Sequence, residues 1–248
     1  MRAFIYLLII MCASQTAEAE HLAVYKQALA DPTRPADARA RDVDRKPLEV
    51  LQLAGVAPGD RVLEIAPGAG YYTAILSRVL GNGGELIAVD PERLFKVFEQ
   101  GRKGFPAYAL TDPRQNVRYS TEHLDELELD SGLDQVWMIL YYHDTLWTGE
   151  NRAEMNARFF AALKPGGRYV VVDHHALPGA PASAGRELHR MDKSLAIREI
   201  QAAGFRLKHD SNALRFPDDP RDDSVFNEDR RGRTDRFALL FEKPLPLQ

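Results

Sequence analysis

Apolar and polar residues alternate along the chain in a pattern that predicts strands and helices in turn. Short apolar runs bounded by turn residues predict strands over 61–66, 85–90, 116–120, 133–141, 168–173, 205–209 and 236–242. Helical spacing predicts helices over 46–53, 71–80, 91–100, 150–163 and 187–203. Residues 101–115, rich in Gly and Pro, are expected to form a loop. The β–α alternation predicts an α/β fold with a mostly parallel sheet and helices on both of its faces.

The segment Arg61–Thr73, RVLEIAPGAGYYT, is the most informative part of the pattern. An apolar strand carrying Glu64 is interrupted at Gly68 and Gly70, and helical spacing follows directly. A glycine turn between a strand and a helix lets a ligand approach the backbone, and the helix N-terminus offers unpaired N–H groups. The next strand, LIAVD, ends in Asp90, an acid placed for ribose hydroxyl groups. These features predict a nucleoside site.

The kind of nucleoside follows from the glycine spacing. A dinucleotide fingerprint requires a third glycine where this chain has Thr73, so a pyrophosphate ligand is disfavoured. A nucleoside with a charged amino-acid tail fits instead. The motif E-x-A-P-G-x-G-Y, followed by V-D-P, resembles the S-adenosylmethionine (SAM) site of class I methyltransferases, and in particular exported bacterial members of that family. An ordinary α/β turn that binds nothing is the alternative.

This resemblance extends to LKPGGRYVVVD before the fifth strand and covers about residues 46–242. It implies a Rossmann-like, doubly wound sheet of seven strands in the order 3-2-1-4-5-7-6, whose last two strands form an antiparallel hairpin. It implies SAM as the cofactor, contacted by Glu64, Ala66, Gly68, Gly70, Asp90 and either Tyr71 or Tyr72 over the cofactor's tail. The acid that many members place after the third strand is missing, and Glu122 is its nearest substitute for an adenine contact.

Two histidine clusters follow neighbouring strands, YYHD at 141–144 and DHH at 173–175. Open α/β sheets bind ligands at the carboxyl ends of their strands, so both clusters should lie at one edge. Methyl transfer to a hydroxyl or amine needs in-line positioning and a base, and the pKa of histidine suits that role. His143 is the preferred base, because acceptor-contacting residues of the resembled family follow the fourth strand. Asp144 is expected to orient it.

Other polar residues expected near this edge are assigned catalytic, structural or solvent-facing roles. His174 is the next catalytic candidate, while Asp173 is interpreted as a structural cap and His175 as a solvent-facing residue. In ELHRMD, helical spacing would place His189 and Asp192 on one face of a helix, which makes His189 a further candidate.

Metal chemistry is the main alternative for these histidines. His143, His174 and His189 with a carboxylate would suit a metal ion, as in a metal-assisted hydrolase. No compact pair such as H-x-x-x-H is present, so no resident metal is assigned. A third hypothesis is an exported protein that binds a nucleoside or another small ligand without catalysis.

The beginning of the chain predicts a cleaved secretory signal over residues 1–19. Arg2, an apolar run over 3–12 and A-x-A at 17–19 have the required order, and the run is too short to span a bilayer. The mature protein, from about Glu20, is therefore expected to be periplasmic or secreted. The single cysteine, Cys12, leaves with the signal, which excludes a disulfide or thiolate site. SAM is a cytosolic metabolite, so its supply outside the cytoplasm is an open question.

The rest of the chain, 20–248, is expected to form one domain with a helical cap over 20–55 and an inserted charged loop over 215–235 that serves as a lid or contacts substrate.

The sequence gives no indication of a nucleic-acid partner. The formal charge of −4 gives no electrostatic footprint for nucleic acid. No N-P-P-Y-type tetrad follows the fourth strand, which disfavours base-flipping methyltransferases. The expected partner is a small-molecule acceptor.

Overall fold

The computed structural model describes residues 18–97 and 116–246, which contain a seven-stranded sheet. The strands are β1 Arg61–Ile65, β2 Glu85–Pro91, β3 Val117–Glu122, β4 Leu133–Ile139, β5 Leu163–His174, β6 Arg206–Ser211 and β7 Arg236–Glu242. Their order is β3-β2-β1-β4-β5-β7-β6. Pairs from β3 through β5 are parallel, and β7 is antiparallel to β5 and β6. The predicted fold class and strand order are confirmed.

Helices cover both faces of the sheet. They are α1 over 18–30, α2 Ala36–Ala40, α3 Asp42–Arg45, α4 Pro47–Ala54, α5 Tyr71–Leu80, α6 Glu92–Val97, α7 Arg152–Ala162, α8 Ser183–Glu187 and α9 Lys193–Ala202. Short 3-10 helices lie at Gly81–Gly83 and Tyr142–Leu146. Within residues 18–97 and 116–246, no helix combines the length and the apolar character needed to cross a bilayer.

Side chains alternate between two buried apolar clusters, one on each face of the sheet. Along β5, Tyr169 and Val171 belong to one cluster, whereas Val170 and Val172 belong to the other. Successive strand residues point to opposite faces, so a strand covered on both sides is apolar at nearly every position. This explains why the sequence YVVV is a continuous apolar run.

The predicted helix over 187–203 is wrong in its first third. Helix α8 ends at Glu187 and α9 begins at Lys193, and the residues between them follow the sheet edge: Met191 bridges to His175 and donates its N–H to the carbonyl of His174 at 3.0 Å. Asp192 caps α9 by accepting the N–H of Ser194 at 2.8 Å, a stabilising N-cap interaction. His189 and Asp192 therefore do not share a helix face.

Predictions at the ends of elements have mixed outcomes. Strand β5 begins five residues earlier than expected, and helix α6 is described only to Val97. The predicted loop over 101–115 and nearly all of the predicted signal, 1–17, lie outside the described residues. The proposed cap over 20–55 consists of α1 through α4.

The segment 215–235 contains no regular helix or strand, but one buried ion pair holds it. The Arg190 guanidinium donates to both carboxylate oxygens of Asp219, at 2.7 and 3.1 Å, and both side chains are 0% exposed. Arg190 also donates to the carbonyls of His175 and Asp223. The charged loop is thereby fixed against the edge of the sheet.

Candidate active site

A cavity of about 620 Å³ opens at the carboxyl edge of the sheet, within the size range of small-molecule sites. Leu94 follows β2, Leu140 follows β4 and His174 ends β5. Arg236 begins β7 and pairs with His174, because the antiparallel direction of β7 brings its first residue to this edge. His143 and Asp144 line the cavity from the turn after β4, and His189 lines it from the segment between α8 and α9. Further wall comes from α3 with the residue before it, and from the loop 215–235, through Arg41, Asp44, Arg45, Val225, Phe226, Arg231, Gly232 and Thr234.

The turn after β4 positions His143. Leu140 adopts a positive φ of 59°, which ends the strand, and the 3-10 helix Tyr142–Leu146 follows. The His143 N–H donates to Asp173 Oδ2 at 2.8 Å. Helix α8 packs closely against the turn: a Cβ added at Gly185 would lie 2.5 Å from the His143 carbonyl oxygen. A glycine is therefore required at position 185.

Asp173 is the principal partner of the His143 ring. Its Oδ1 lies 2.6 Å from His143 Nδ1 and also accepts the N–H of His174 at 2.7 Å, and Asp173 itself is fully buried. Asp144 also contacts the ring, with Oδ1 3.3 Å from the opposite nitrogen, Nε2, so its predicted orienting role is shared with Asp173 and stays a prediction. The interpretation of Asp173 as a cap captures only its contacts with the two backbone N–H groups.

These contacts shift the pKa values of His143 and Asp144. Burial alone would lower the pKa of His143, but the Asp173 carboxylate and the hydrogen bond with Asp144 outweigh burial and raise it to about 10. Burial likewise would raise the pKa of Asp144, yet hydrogen bonds from His143 and His189 lower it to about 2. The site therefore holds two buried carboxylates against imidazole groups.

The pKa of His174 is shifted in the direction opposite to that of His143. Burial, followed by the positive charges of His143 and Arg236, lowers its pKa well below the ordinary histidine value, so the ring is neutral at physiological pH. Its Nδ1 lies 2.8 Å from Thr234 Oγ1, and its ring centroid lies 5.9 Å from that of His143. His175, predicted to face solvent, is only 8% exposed, because its ring packs against Phe237.

His189 joins the site from the break between α8 and α9. Its Nδ1 lies 3.2 Å from Asp144 Oδ1 and 3.3 Å from His143 Nε2. The ring packs edge-on against Phe226, with centroids 4.7 Å apart. The structure therefore brings the four predicted catalytic residues, His143, Asp144, His174 and His189, together at one cavity.

Positively charged side chains also line the cavity. Within residues 18–97 and 116–246, neither Arg45 nor Arg236 forms a salt bridge, and the buried Nε of Arg236 has no hydrogen-bond partner. Burial and the charges of neighbouring arginines lower the pKa of Arg45 to about 10. The Arg45 guanidinium stacks on the ring of Tyr71 at 4.4 Å. The half-buried Arg45 and the buried Arg236, which donates only to the backbone carbonyls of Asp44 and Gly232 among the described residues, thus line the cavity without a carboxylate ion pair, which suits an anionic ligand.

The glycine turn after β1 has the backbone expected of a ligand-binding loop. Ala66, Gly68 and Gly70 all have positive φ, at 55°, 56° and 72°. Glycine adopts this conformation without strain, whereas it is uncommon for alanine. Because β1 lies between β2 and β4, the turn sits at the same sheet edge as the cavity, although the lining residues do not include it.

The other predicted cofactor residues are engaged by protein groups. Glu64 accepts the Thr73 hydroxyl at 2.7 Å, and burial raises the pKa of Glu64 to about 8. Asp90 accepts the Tyr119 hydroxyl at 3.0 Å. The ring of Tyr72 is buried 5.6 Å from that of Trp137. Neither carboxylate lines the cavity, so their contacts with a cofactor stay predictions.

Glu122 lies one residue beyond the register partner of Asp90 but does not line the cavity that holds the histidines. It is exposed at the end of β3 and lines a separate groove with Glu92 and Ser120. Its role as an adenine contact stays a prediction.

Sequence reasoning missed Arg45, Arg236 and Thr234. A signal for two of them was present: the polar residues T-D-R at 234–236 lead into the last strand, and its antiparallel direction puts its beginning, rather than its end, at the ligand-binding edge.

Comparison with known proteins identifies the family. Residues 45–176, more than half of the chain, match the family model for protein-L-isoaspartate(D-aspartate) O-methyltransferase (PCMT). The ubiquinone/menaquinone biosynthesis C-methyltransferase UbiE of Ectopseudomonas mendocina (strain ymp) is 24% identical over 172 residues, which are 67% of this chain and 59% of that protein. The chain spans 45–60% of the length of such curated relatives.

Solved structures show the same fold. A SAM-dependent methyltransferase from Aquifex aeolicus is similar over 90% of this chain and 98% of its own, with a TM-score of 0.57 and 17% identity. The Burkholderia thailandensis 1,6-didemethyltoxoflavin-N1-methyltransferase, with bound 1,6-didemethyltoxoflavin and S-adenosylhomocysteine, covers 94% of this chain and 89% of its own, with a TM-score of 0.52 and 17% identity. The chain therefore belongs to the protein-L-isoaspartate(D-aspartate) O-methyltransferase family of class I methyltransferases, whose cofactor is SAM.

Proposed function

We propose that this protein transfers the methyl group of SAM to a small acceptor that carries a negative charge. The observation that carries the proposal is the pair of cavity-lining cations, Arg45 and Arg236, that face the histidine cluster without an ion-pair partner among the described residues. A poorly solvated cation that has no anionic partner is unfavourable, and an anionic ligand would supply that partner through charge-assisted hydrogen bonds.

The two arginines suit different anions. Arg45 lies against Tyr71, the first residue of the helix that follows the glycine turn, and so is placed for the carboxylate of the SAM tail. Arg236 pairs with His174 across β5 and β7, and so is placed for the acceptor. This division puts the cofactor beside β1 and β2 and the acceptor beside β5 and β7.

The acceptor has an apolar body as well as a charge. Leu94, Leu140, Val225 and Phe226 supply apolar wall to the same cavity, and the last two come from the loop 215–235. We assign that loop a substrate-contacting role. The named activities of the relatives are O-, C- and N-methylations, so the acceptor atom is left to the experiment below.

For an acceptor that must lose a proton, His174 is the better placed base. Both ring nitrogens of His143 contact protein groups, Asp173 on one side and Asp144 with His189 on the other. His174 is neutral and lines the cavity beside Arg236. A neutral imidazole accepts a proton, whereas an imidazolium cannot, and an anionic acceptor bound at Arg236 would offset the positive charge that lowers the pKa of His174.

Replacing Asp90 with alanine is expected to weaken SAM binding by about 1.5–3 kcal/mol, the usual loss for hydrogen bonds to a charged group. Isothermal titration of the full chain with SAM measures this, and Asp90→Asn keeps a partner for the Tyr119 hydroxyl if the alanine variant is unstable. Asp37→Ala, on an exposed face of α2, is the matched control and should bind SAM as the wild type does. Unchanged binding by Asp90→Ala would remove Asp90 from the cofactor site.

Methyl transfer itself is tested with labelled SAM and a fractionated pool of small molecules. We expect the label to enter only compounds from the anionic fraction, at a rate that falls when Arg236 is replaced by methionine. Label confined to neutral or cationic compounds would contradict the proposed acceptor class, and SAM binding without any transfer would favour the non-catalytic binding protein.

We further propose that the protein acts outside the cytoplasm, on the strength of the signal-like pattern over residues 1–19. A fusion of residues 1–30 to a reporter that is active only after export tests this directly. An inactive reporter would place the enzyme with its cytosolic cofactor supply.

A further inference from the structure

One arrangement in the cavity exceeds what methyl transfer requires: three potential ligand atoms converge from His143, Asp144 and His189. His143 Nε2 lies 3.3 Å from Asp144 Oδ1 and 3.3 Å from His189 Nδ1, and the last two atoms are 3.2 Å apart. A metal bonded at about 2.0–2.1 Å to nitrogen and oxygen separates neighbouring ligand atoms by about 2.8–3.0 Å in octahedral and about 3.3–3.4 Å in tetrahedral geometry. The three edges of this triangle have the length that a metal site requires.

The groups behind these ligands have the arrangement of a metal site's supporting layer. Asp173 Oδ1 lies 2.6 Å from His143 Nδ1, which turns Nε2 of that ring toward the triangle. Histidines that bind metals almost always donate their other ring N–H to a carboxylate or carbonyl in this way. Trp147 donates its indole N–H to Asp144 Oδ1 at 3.1 Å and so fixes the carboxylate.

The backbone conformation at His189 also supports a metal site. Its φ of 55° is uncommon for a residue other than glycine, and such conformations persist where the surrounding structure holds them. Here the neighbouring Met191 is bonded to β5 and Asp192 caps α9. This strained turn delivers the His189 ring to Asp144 and His143.

Charge balance also favours a cation. Asp144 and Asp173 are 8% and 0% exposed, so two carboxyl groups lie side by side with the imidazole rings in a poorly solvated site. A divalent ion between His143, Asp144 and His189 would neutralise both. Buried charges without compensation are strongly unfavourable.

We propose that His143 Nε2, Asp144 Oδ1 and His189 Nδ1 bind one divalent first-row transition-metal ion. Two imidazoles with one carboxylate favour Zn²⁺, Fe²⁺ or Co²⁺ over Mg²⁺ or Ca²⁺, which prefer oxygen ligands. Three protein ligands leave a coordination position toward the cavity that all three residues line, as in catalytic rather than structural sites. The metal site itself does not depend on the proposed function. One further step does rest on that function: an ionised oxygen of the methyl acceptor would occupy the open coordination position.

The experiment is a titration of metal-free, full-length protein with Zn²⁺, followed by calorimetry, and with Co²⁺, followed by its visible absorption. We expect one ion per chain. His189→Gly should lower the affinity at least 100-fold, and glycine suits the positive φ at this position. Asp173→Asn should lower it by about 10–100-fold, as outer partners of metal ligands do. His209→Ala, an exposed histidine on β6, is the control and should leave the affinity unchanged.

Binding of Zn²⁺ to His189→Gly with wild-type affinity, or the lack of stoichiometric binding to the wild type, would overturn the site. Asp144→Asn supplies the same test if His189→Gly does not fold. A parallel titration with SAM separates the two proposals. SAM binding without metal binding rejects the metal site alone, whereas metal binding without SAM binding rejects the methyltransferase assignment alone.

Discussion

Replacing Arg190 with alanine is expected to lower the free energy of unfolding by about 3–5 kcal/mol, the cost of leaving one member of a buried ion pair without its partner. Arg190 and Asp219 are both 0% exposed, and the guanidinium makes two hydrogen bonds to that carboxylate. The variant would retain the Asp219 carboxylate in the interior, where its remaining partners among the described residues are the backbone N–H groups of Asp235 and Arg221. Urea unfolding followed by far-ultraviolet circular dichroism measures the change.

The effect of this substitution should depend on pH. Burial would raise the pKa of Asp219, but the hydrogen bond from Arg190 outweighs burial and holds the pKa below its ordinary value of 3.8. A depressed carboxyl pKa contributes stability above the unfolded-state value and loses it as the pH falls through the folded-state value. The difference between wild type and Arg190→Ala should therefore shrink as the pH is lowered below about 4.

Arg230→Ala provides a control on the same loop. Arg230 forms a partly exposed ion pair with Asp223 and an exposed hydrogen bond to the Asp218 carbonyl, and its loss should cost about 0–1 kcal/mol. The double variant Arg190→Met, Asp219→Leu removes both charges and should recover much of the loss, because an apolar pair of similar volume often replaces a buried ion pair without penalty. An Arg190→Ala protein within about 1 kcal/mol of the wild type would show that the loop is not anchored by this pair.

The parts of the fold that the sequence predicts well are those whose signals are local. Helix α5 has the predicted bounds, Tyr71 and Leu80, because a glycine precedes it and another follows it. Strand β7 also has its predicted bounds. In both segments the residues that begin and end the element are adjacent in sequence to its apolar pattern, so no distant contact is needed to locate them.

The break at His189 could not be predicted in the same way. Periodicity alone continues through ELHRMD, and what ends the helix is the bonding of Met191 to His174 and Ala176, residues about fifteen positions away. The pairing of His143 with Asp173 spans thirty positions, and Arg236 reaches the Asp44 carbonyl over a much longer separation. Sequence therefore indicated which residues collect at the sheet edge, whereas their pairing depends on tertiary contacts.

Replacing Asp173 with asparagine is expected to lower the rate of methyl transfer about 10²–10⁴-fold, the range for loss of a correctly positioned acid–base group. Asp173 accepts hydrogen bonds from the N–H groups of His143 and His174 and contacts the ring of His143. Asparagine preserves the shape but turns an N–H₂ group toward one of these donors, which displaces one histidine or both. Asp173 thus acts by positioning the two histidines.

A split between kcat and cofactor affinity distinguishes this role from general destabilisation. Asp173 lies at the end of β5, whereas the proposed cofactor residues follow β1 and β2, so SAM affinity should stay within about twofold of the wild type while kcat falls. Asp210→Asn, on the exposed strand β6, is the matched substitution and should change neither quantity. Equal losses of SAM affinity and turnover in Asp173→Asn would mean that the carboxylate maintains the whole site, and His143 and His174 would then have no separate claim to the chemistry of the acceptor.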